Sequence, residues 1–297
     1  MTERSSNNLP GAPTSSGPLS APLAGETRPT LQMKTGAGVI SFDDTGGAGP
    51  LIIAVPGMGD LRRQYRYLTP YLTAAGYRVV TADIRGHGAS SVNWDDYSAH
   101  AVGRDLLALL TYLGQDKAII IGNSFTAGAA MWAAHDAATR VLAGVLIGPV
   151  LRNPPNGVPW YIRAVLSVGL GGPWRVGFWL WYYKTLFPTR KPADFDLYIK
   201  TLGENLREPG RMDALRAMLS RSKSDTEAML RKTDLPVLVV MGTKDADFPD
   251  PTAEAQWIAD RVGAELLIVE AAGHYPQTEM PEQVGPAIVK FLKGDNV

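Results

Sequence analysis

The sequence predicts an α/β fold: a doubly wound, mostly parallel sheet with a helical segment inserted between two of its strands. Three observations carry this. Short runs rich in Val, Ile and Leu alternate along the chain with helix-length stretches. The runs are continuously apolar rather than alternating, the pattern of strands covered on both faces. The alternation stops over residues 150–232 and then resumes.

Taken in order, residues 38–42, 51–56, 77–82, 117–122 and 142–148 read as strands, followed after the interruption by 236–242 and 264–269. Each is bounded by Gly, Pro or Asp. Helices are expected near 62–75, 99–113, 125–138, 251–262 and 281–293. Within 99–113, Val102, Leu106, Leu109, Leu110 and Leu113 recur at helical spacing. The core thus divides into an N-terminal part, 31–149, and a C-terminal part, 233–297. The insertion at 150–232 opens with Pro154 and Pro155 and is expected to be mostly helical, a cap or lid. Within it, 213–232 reads as one amphipathic helix with a solvated face.

Residues 1–30 are rich in Ser, Pro and Gly and hold no apolar stretch of signal-peptide length. They read as a disordered leader. The formal net charge is zero, which gives no global electrostatic case for nucleic acid or an anionic membrane. Nor is there an apolar run long enough for a membrane-spanning helix. The chain has no cysteine. This excludes disulfides, thiolate metal sites and a cysteine nucleophile, and it fits a cytoplasmic setting. No metal and no cofactor are expected.

Ligands in doubly wound sheets bind at the carboxyl ends of the strands. There Gly122-Asn123-Ser124-Phe125-Thr126 joins the strand 117–122 to an alanine-rich helix. A serine at such a turn can be presented rigidly as a nucleophile. It can equally serve as a helix cap. The chain has four histidines. His135 lies eleven residues along the same helix, about 16 Å from Ser124 at 1.5 Å per residue. His100 falls at a helix start, and His87 belongs to a turn. His274 follows the last strand, on the same edge of the sheet as Ser124, which suits a general base. Asp245 and Asp247, after the strand 236–242, are both candidates to orient its imidazole. Pro56-Gly57-Met58-Gly59-Asp60 follows the strand 51–56; it is either a glycine turn or a loop that aims the Met58 N–H, together with that of Phe125, at an oxyanion.

In this order the motifs resemble the α/β-hydrolase family, over about residues 35–295. Pro56 to Gly59 resembles its oxyanion loop. Asp83-Ile84-Arg85-Gly86-His87-Gly88-Ala89-Ser90 resembles its D-x-R-G-H-G-x-S turn, and Gly122 to Thr126 its nucleophile elbow. Gly242-Thr243-Lys244-Asp245 with Pro249, and then Gly273-His274, resemble its acid and base loops. The resemblance selects Asp245 over Asp247 and implies a catalytic triad of Ser124, Asp245 and His274. It gives the Arg85–Ser90 turn a structural role. Two positions depart from the family pattern. Pro56-Gly57 stands where His-Gly is common, and Thr126 stands where the elbow often ends in Gly. A β-branched side chain there is expected to crowd the neighbouring strand, with Gly128 relieving some of the packing.

A serine nucleophile in this family implies acyl transfer, here on a small or medium apolar ester. Cofactor-free haloperoxidase-like chemistry, carbon–carbon bond hydrolysis and slow-turnover ligand reception are the alternatives on the same triad. Four of the seven tryptophans, with Tyr161, Phe178, Tyr182, Tyr183 and Phe187, fall within 160–187. Such a cluster can pack the insertion, roof the substrate or meet lipid. As a roof it would use Trp160, Trp174, Phe178 and Trp181 against the substrate. An exposed aromatic insertion could also pair two copies of the chain into a homodimer.

Overall fold

The computed structural model describes residues 30–36 and 38–294. The expected leader lies outside the described residues, apart from Thr30. The strands are β1 (Leu31–Thr35), β2 (Gly38–Asp44), β3 (Leu51–Val55), β4 (Arg78–Ala82), β5 (Ala118–Asn123), β6 (Val141–Ile147), β7 (Val237–Gly242) and β8 (Glu265–Val269). They form one sheet in the order β1-β2-β4-β3-β5-β6-β7-β8. The pairings from β4 through β8 are parallel, whereas β1–β2 and β2–β4 are antiparallel. Seven of these strands coincide with the apolar runs to within two residues. Strand β1 is additional. Its sequence is LQMKT and only Met33 is buried, so it offers no apolar run to read.

Every residue of β3, β5 and β7 is buried, because alternate side chains enter two different cores. Ile53, Val55, Val80, Ile120 and Val239 face one core. It is completed by α2 (Ala99–Tyr112), α3 (Phe125–Asp136) and α9 (Pro251–Val262). Ile52, Ala54, Val79, Ile121, Val145 and Val240 face the other, which is closed by α1 (Thr69–Ala74) and α11 (Pro281–Leu292). The expected helix at 62–75 is split into a 3₁₀ segment, Arg62–Tyr67, and α1. Pro70 lacks an N–H and cannot continue an α-helical ladder across the junction.

The interruption between β6 and β7 holds five helices: α4 (Trp160–Gly171), α5 (Arg175–Thr185), α6 (Phe195–Leu206), α7 (Arg211–Ser220) and α8 (Ser224–Met229). The single helix expected over 213–232 is two, α7 and α8. Asn153 sits at the break. Its Oδ1 accepts from the Lys223 N–H at 3.2 Å and its Nδ2 donates to Ser222 Oγ at 2.9 Å, side-chain bonds that compete with helix continuation. Helices α4 to α7 share a third apolar cluster with Leu61 and Tyr275 of the sheet edge. No helix among the described residues is long and apolar enough to cross a membrane.

The sheet order itself locates a crevice. The chain leaves β3 toward β4 on one side and leaves β5 toward β6 on the other. Between the carboxyl ends of β3 and β5 the loops therefore diverge, which opens a binding cleft. The segments emerging there are Pro56–Asp60 and the Ser124 turn.

Candidate active site

Ser124 occupies the turn between β5 and α3 with φ 58° and ψ −124°, a backbone conformation that non-glycine residues rarely adopt. The turn is tight enough to need a glycine. A Cβ on Gly122 would sit 2.3 Å from Thr126 O. Ser124 holds the cap position of α3 but makes no cap hydrogen bond. The capping alternative therefore fails, and the hydroxyl is uncommitted in a residue only 8% exposed.

Thr126 does not crowd the sheet. Its hydroxyl accepts from the Asn123 N–H at 2.9 Å. It lies within donating distance of Asn123 O, 2.8 Å, and Val55 O, 3.0 Å, and its one proton serves one of the two at a time. The β-branched side chain thus ties the turn to the end of β3. Gly128 plays no part in this, since it faces Ala99 of α2 and Thr226 of α8.

His274 reaches the site on the loop after β8. Its Nδ1 lies 2.7 Å from Asp245 Oδ2, and both residues are buried. A carboxylate can only accept, so Nδ1 carries the proton and Nε2 is left as the basic nitrogen. Asp247, the other candidate acid, is also near, with its Oδ2 3.6 Å from Nδ1 and its side chain 22% exposed. The backbone N–H of Asp247 donates to Asp245 Oδ1 at 3.0 Å, and the Tyr182 hydroxyl of α5 donates to Asp247 Oδ1. Burial opposes a charged imidazole, but the charges of Asp245 and Asp247 and the Asp245 hydrogen bond outweigh it. His274 is raised to about 9. The ligating atoms of these three side chains fall within 4.8 Å of one another. They are already paired among themselves and with Tyr182.

Met58 lies on the loop after β3, and the preceding Gly57 abuts the Ser124 side chain. Neither the Met58 nor the Phe125 N–H is taken by an acceptor among the described residues, so both are available as donors beside Ser124. The loop is covered by the insertion. Gly59 adopts φ 68°, and Trp179 lies directly on it, donating from Nε1 to Gly59 O at 2.9 Å.

Three further residues hold the site together. Asn123 is fully buried and donates from Nδ2 to Ile147 O at 3.0 Å and to His274 O at 3.3 Å, linking the serine turn to the histidine loop. Glu279, also fully buried, accepts from the Gly273 N–H at 2.7 Å and from the N–H groups of Thr189 and Arg190 at 2.8 and 2.7 Å. Asp60 accepts from the Tyr198 hydroxyl at 2.5 Å, the Tyr183 hydroxyl at 3.1 Å and the Leu61 N–H at 2.8 Å. Burial raises its carboxyl to about 6 despite these bonds. Their positions beside the motifs, next to Ser124, five residues after His274 and directly after Gly59, were the only sequence signals they gave.

The aromatic residues of the insertion divide by face. Along α5, Val176, Trp179 and Tyr183 point inward at helical spacing. Trp181 lies on the opposite face and is 62% exposed; Trp160 and Trp174 are 80% and 56% exposed. The structure places these three at the surface. Phe178 packs over Gly169, between α4 and α5. Trp179, absent from the expected contact set, is the tryptophan that bonds to the loop after β3.

The remaining histidines are elsewhere. His87 is buried with Nδ1 3.0 Å from Arg85 O, and burial lowers it to about 4. Arg85 in the same turn makes paired bonds of 2.8 Å to Asp105, which pins the turn to α2. His100 and His135 share Asp136 at the surface.

Comparison with known proteins agrees with this architecture. A family model described as alpha/beta hydrolase fold matches residues 50–281. An uncharacterised protein of Mycobacterium tuberculosis is 27% identical over 91% of this chain and 83% of its own length. The 3-oxoadipate enol-lactonase 2 of Acinetobacter baylyi is 25% identical over 74% of this chain and 80% of its own. Among solved structures, a bromoperoxidase from Bacillus anthracis superposes with a TM-score of 0.77 at 21% identity, covering 90% of this chain and all of that one. An esterase from Exiguobacterium antarcticum does so with a TM-score of 0.75 at 19% identity, covering 86% and 96%. At these identities the structures speak to the fold. With the family model spanning most of the sheet, the crevice and the insertion, the chain belongs to the alpha/beta hydrolase fold family.

Proposed function

We propose that the chain is a serine hydrolase that cleaves an apolar carboxylic ester through Ser124, His274 and Asp245. The observation that carries this reading is the uncommitted Ser124 hydroxyl, held in a strained turn beside two free backbone N–H groups. In the proposed reaction His274 Nε2 takes the Ser124 proton as Oγ attacks the acyl carbon. The N–H groups of Met58 and Phe125 receive the oxyanion. Asp245 holds the imidazole and stabilises its charged form. The imidazolium then protonates the departing alcohol. Water repeats the sequence on the acyl-enzyme and frees the acid. The helices α4–α8 act as a lid over this site. The lactonase among the relatives acts, by its name, on an internal ester, and an esterase shares the fold. The lactonase supports acyl chemistry, and the bromoperoxidase raises the haloperoxidase alternative on the same residues.

The test is hydrolysis of short and medium p-nitrophenyl esters by the wild type and by Ser124→Ala. The variant should stay folded and lose about a thousandfold or more in kcat. Equal activity in the two proteins overturns the assignment. The base must be neutral to act, so wild-type kcat/KM should rise with pH through a limb near 9, where His274 loses its proton.

A further inference from the structure

We propose that Asp247 is a second carboxylate partner of His274, a positioning residue whose placement is set by Tyr182 of the insertion. The assignment rests on His274 serving as the base of the proposed hydrolysis. It adds a residue that the three-member constellation does not require.

The geometry is specific. Asp245 and Asp247 both approach the same ring nitrogen, Nδ1, at 2.7 and 3.6 Å. Asp245 uses its remaining oxygen to accept the Asp247 N–H, so the two acids are locked on one turn. Asp247 has one oxygen toward the imidazole and the other bonded by the Tyr182 hydroxyl. The chain from α5 to the base is therefore Tyr182, Asp247, His274. An opposite charge within about 4–6 Å stabilises the protonated ring. A displacement of α5 that withdrew Tyr182 would free the Asp247 carboxylate to turn toward solvent, which its partial exposure permits. The basicity of His274 would thus follow the position of the insertion.

The other groups around this cluster are accounted for. From the oxyanion loop, Asp60 adds a weaker negative field on His274. From α5, Tyr182 and Tyr183 are both held un-ionised by burial, as is Tyr275 next to the histidine. Glu279 bonds the Gly273 N–H behind the ring. Lys223, between α7 and α8, is the cation that acts on Asp247. Burial raises the Asp247 carboxyl and the charge of His274 counters it.

The test is a ¹³C-histidine NMR titration of the full chain, in which His274→Gln identifies the resonance of interest among four. Wild-type His274 should titrate near 9. In Asp247→Asn its midpoint should fall by about one pH unit. In Tyr182→Phe it should fall by less, and Tyr182→Phe should add nothing in the Asp247→Asn background. The limb of kcat/KM should move with it. An unchanged midpoint in Asp247→Asn overturns the proposal. So does an equal effect of Tyr182→Phe with and without Asp247. The titration does not depend on turnover. Its shift in a protein inactive on every ester would leave the Asp247 assignment standing while the hydrolase reading fell. Ester turnover with an unmoved midpoint would do the reverse.

Discussion

The central sheet and the helical insertion treat their apolar residues in opposite ways. In β3, β5 and β7 every side chain is buried, and alternate residues feed two cores. In the insertion one face of each helix is committed and the other is not. Helices α5 and α6 bury Trp179, Tyr183, Phe195 and Tyr198 against the loop after β3 and the loop that carries His274. Helix α4 leaves Trp160, Tyr161, Val165 and Val168 in solvent. The sheet fixes where Ser124 stands, and the inner face of the insertion fixes what covers the loop after β3. Two of the buried acids near the site, Asp60 and Glu279, bond to groups on both sides of that boundary.

If the inner face of the insertion belongs to the site, its largest ring should behave as a core residue. Trp179→Ala is expected to cost about 3–5 kcal/mol in urea unfolding. It removes a buried indole and leaves Gly59 O without its donor. A loss below 1 kcal/mol would break the comparison, because α5 would then be resting on the loop without holding it.

The Asp60 junction sharpens it further. This carboxyl sits near 6 in the folded chain against an ordinary 3.8. The folded state therefore holds its proton more tightly than the unfolded state does. Stability falls as pH rises from about 4 to 6, and the penalty is fully present above 6. The difference amounts to about 3 kcal/mol. Asp60→Asn should abolish that slope, so the variant gains on the wild type as pH increases. Denaturant unfolding at a series of pH values between 4 and 8 measures it, and parallel curves for the two proteins would show that the carboxyl is not the group responsible.

The same contrast explains what the sequence made legible. Strands buried on both faces write themselves as unbroken apolar runs, and their order marked the crevice. The residues at its mouth are tied to tight turns, so their spacing carried information: Ser124, His274 and the Asp245–Asp247 turn were readable as neighbours. Edge strand β1 was not, because one buried Met33 leaves no pattern. Thr126 was read as a steric intruder because its hydroxyl bonds to Val55 and Asn123 have no signature in the sequence. Glu279 and Asp60 work through backbone N–H groups and hydroxyls far along the chain, and such partners are fixed only by tertiary packing. In the insertion, aromatic residues at adjacent and alternate positions give no unique apolar stripe. Periodicity could not tell the inward Trp179 from the outward Trp181.

That last distinction yields the smallest expected effect. Trp181 lies two residues from Trp179 on the same helix and faces away from the cluster that buries it. Among the described residues its only ring contact is a tilted one with Phe178, centroids 5.8 Å apart. Surface substitutions of this kind usually stay within about 0.5 kcal/mol. Trp181→Ala should therefore leave both the unfolding midpoint and kcat/KM on p-nitrophenyl esters close to wild type, against the large loss expected for Trp179→Ala. A clear fall in kcat/KM with stability unchanged would mean that the outer face of α5 meets substrate during turnover. The insertion would then have to rotate as it opens, and the inward and outward rings would be two states of one surface rather than a core and a skin.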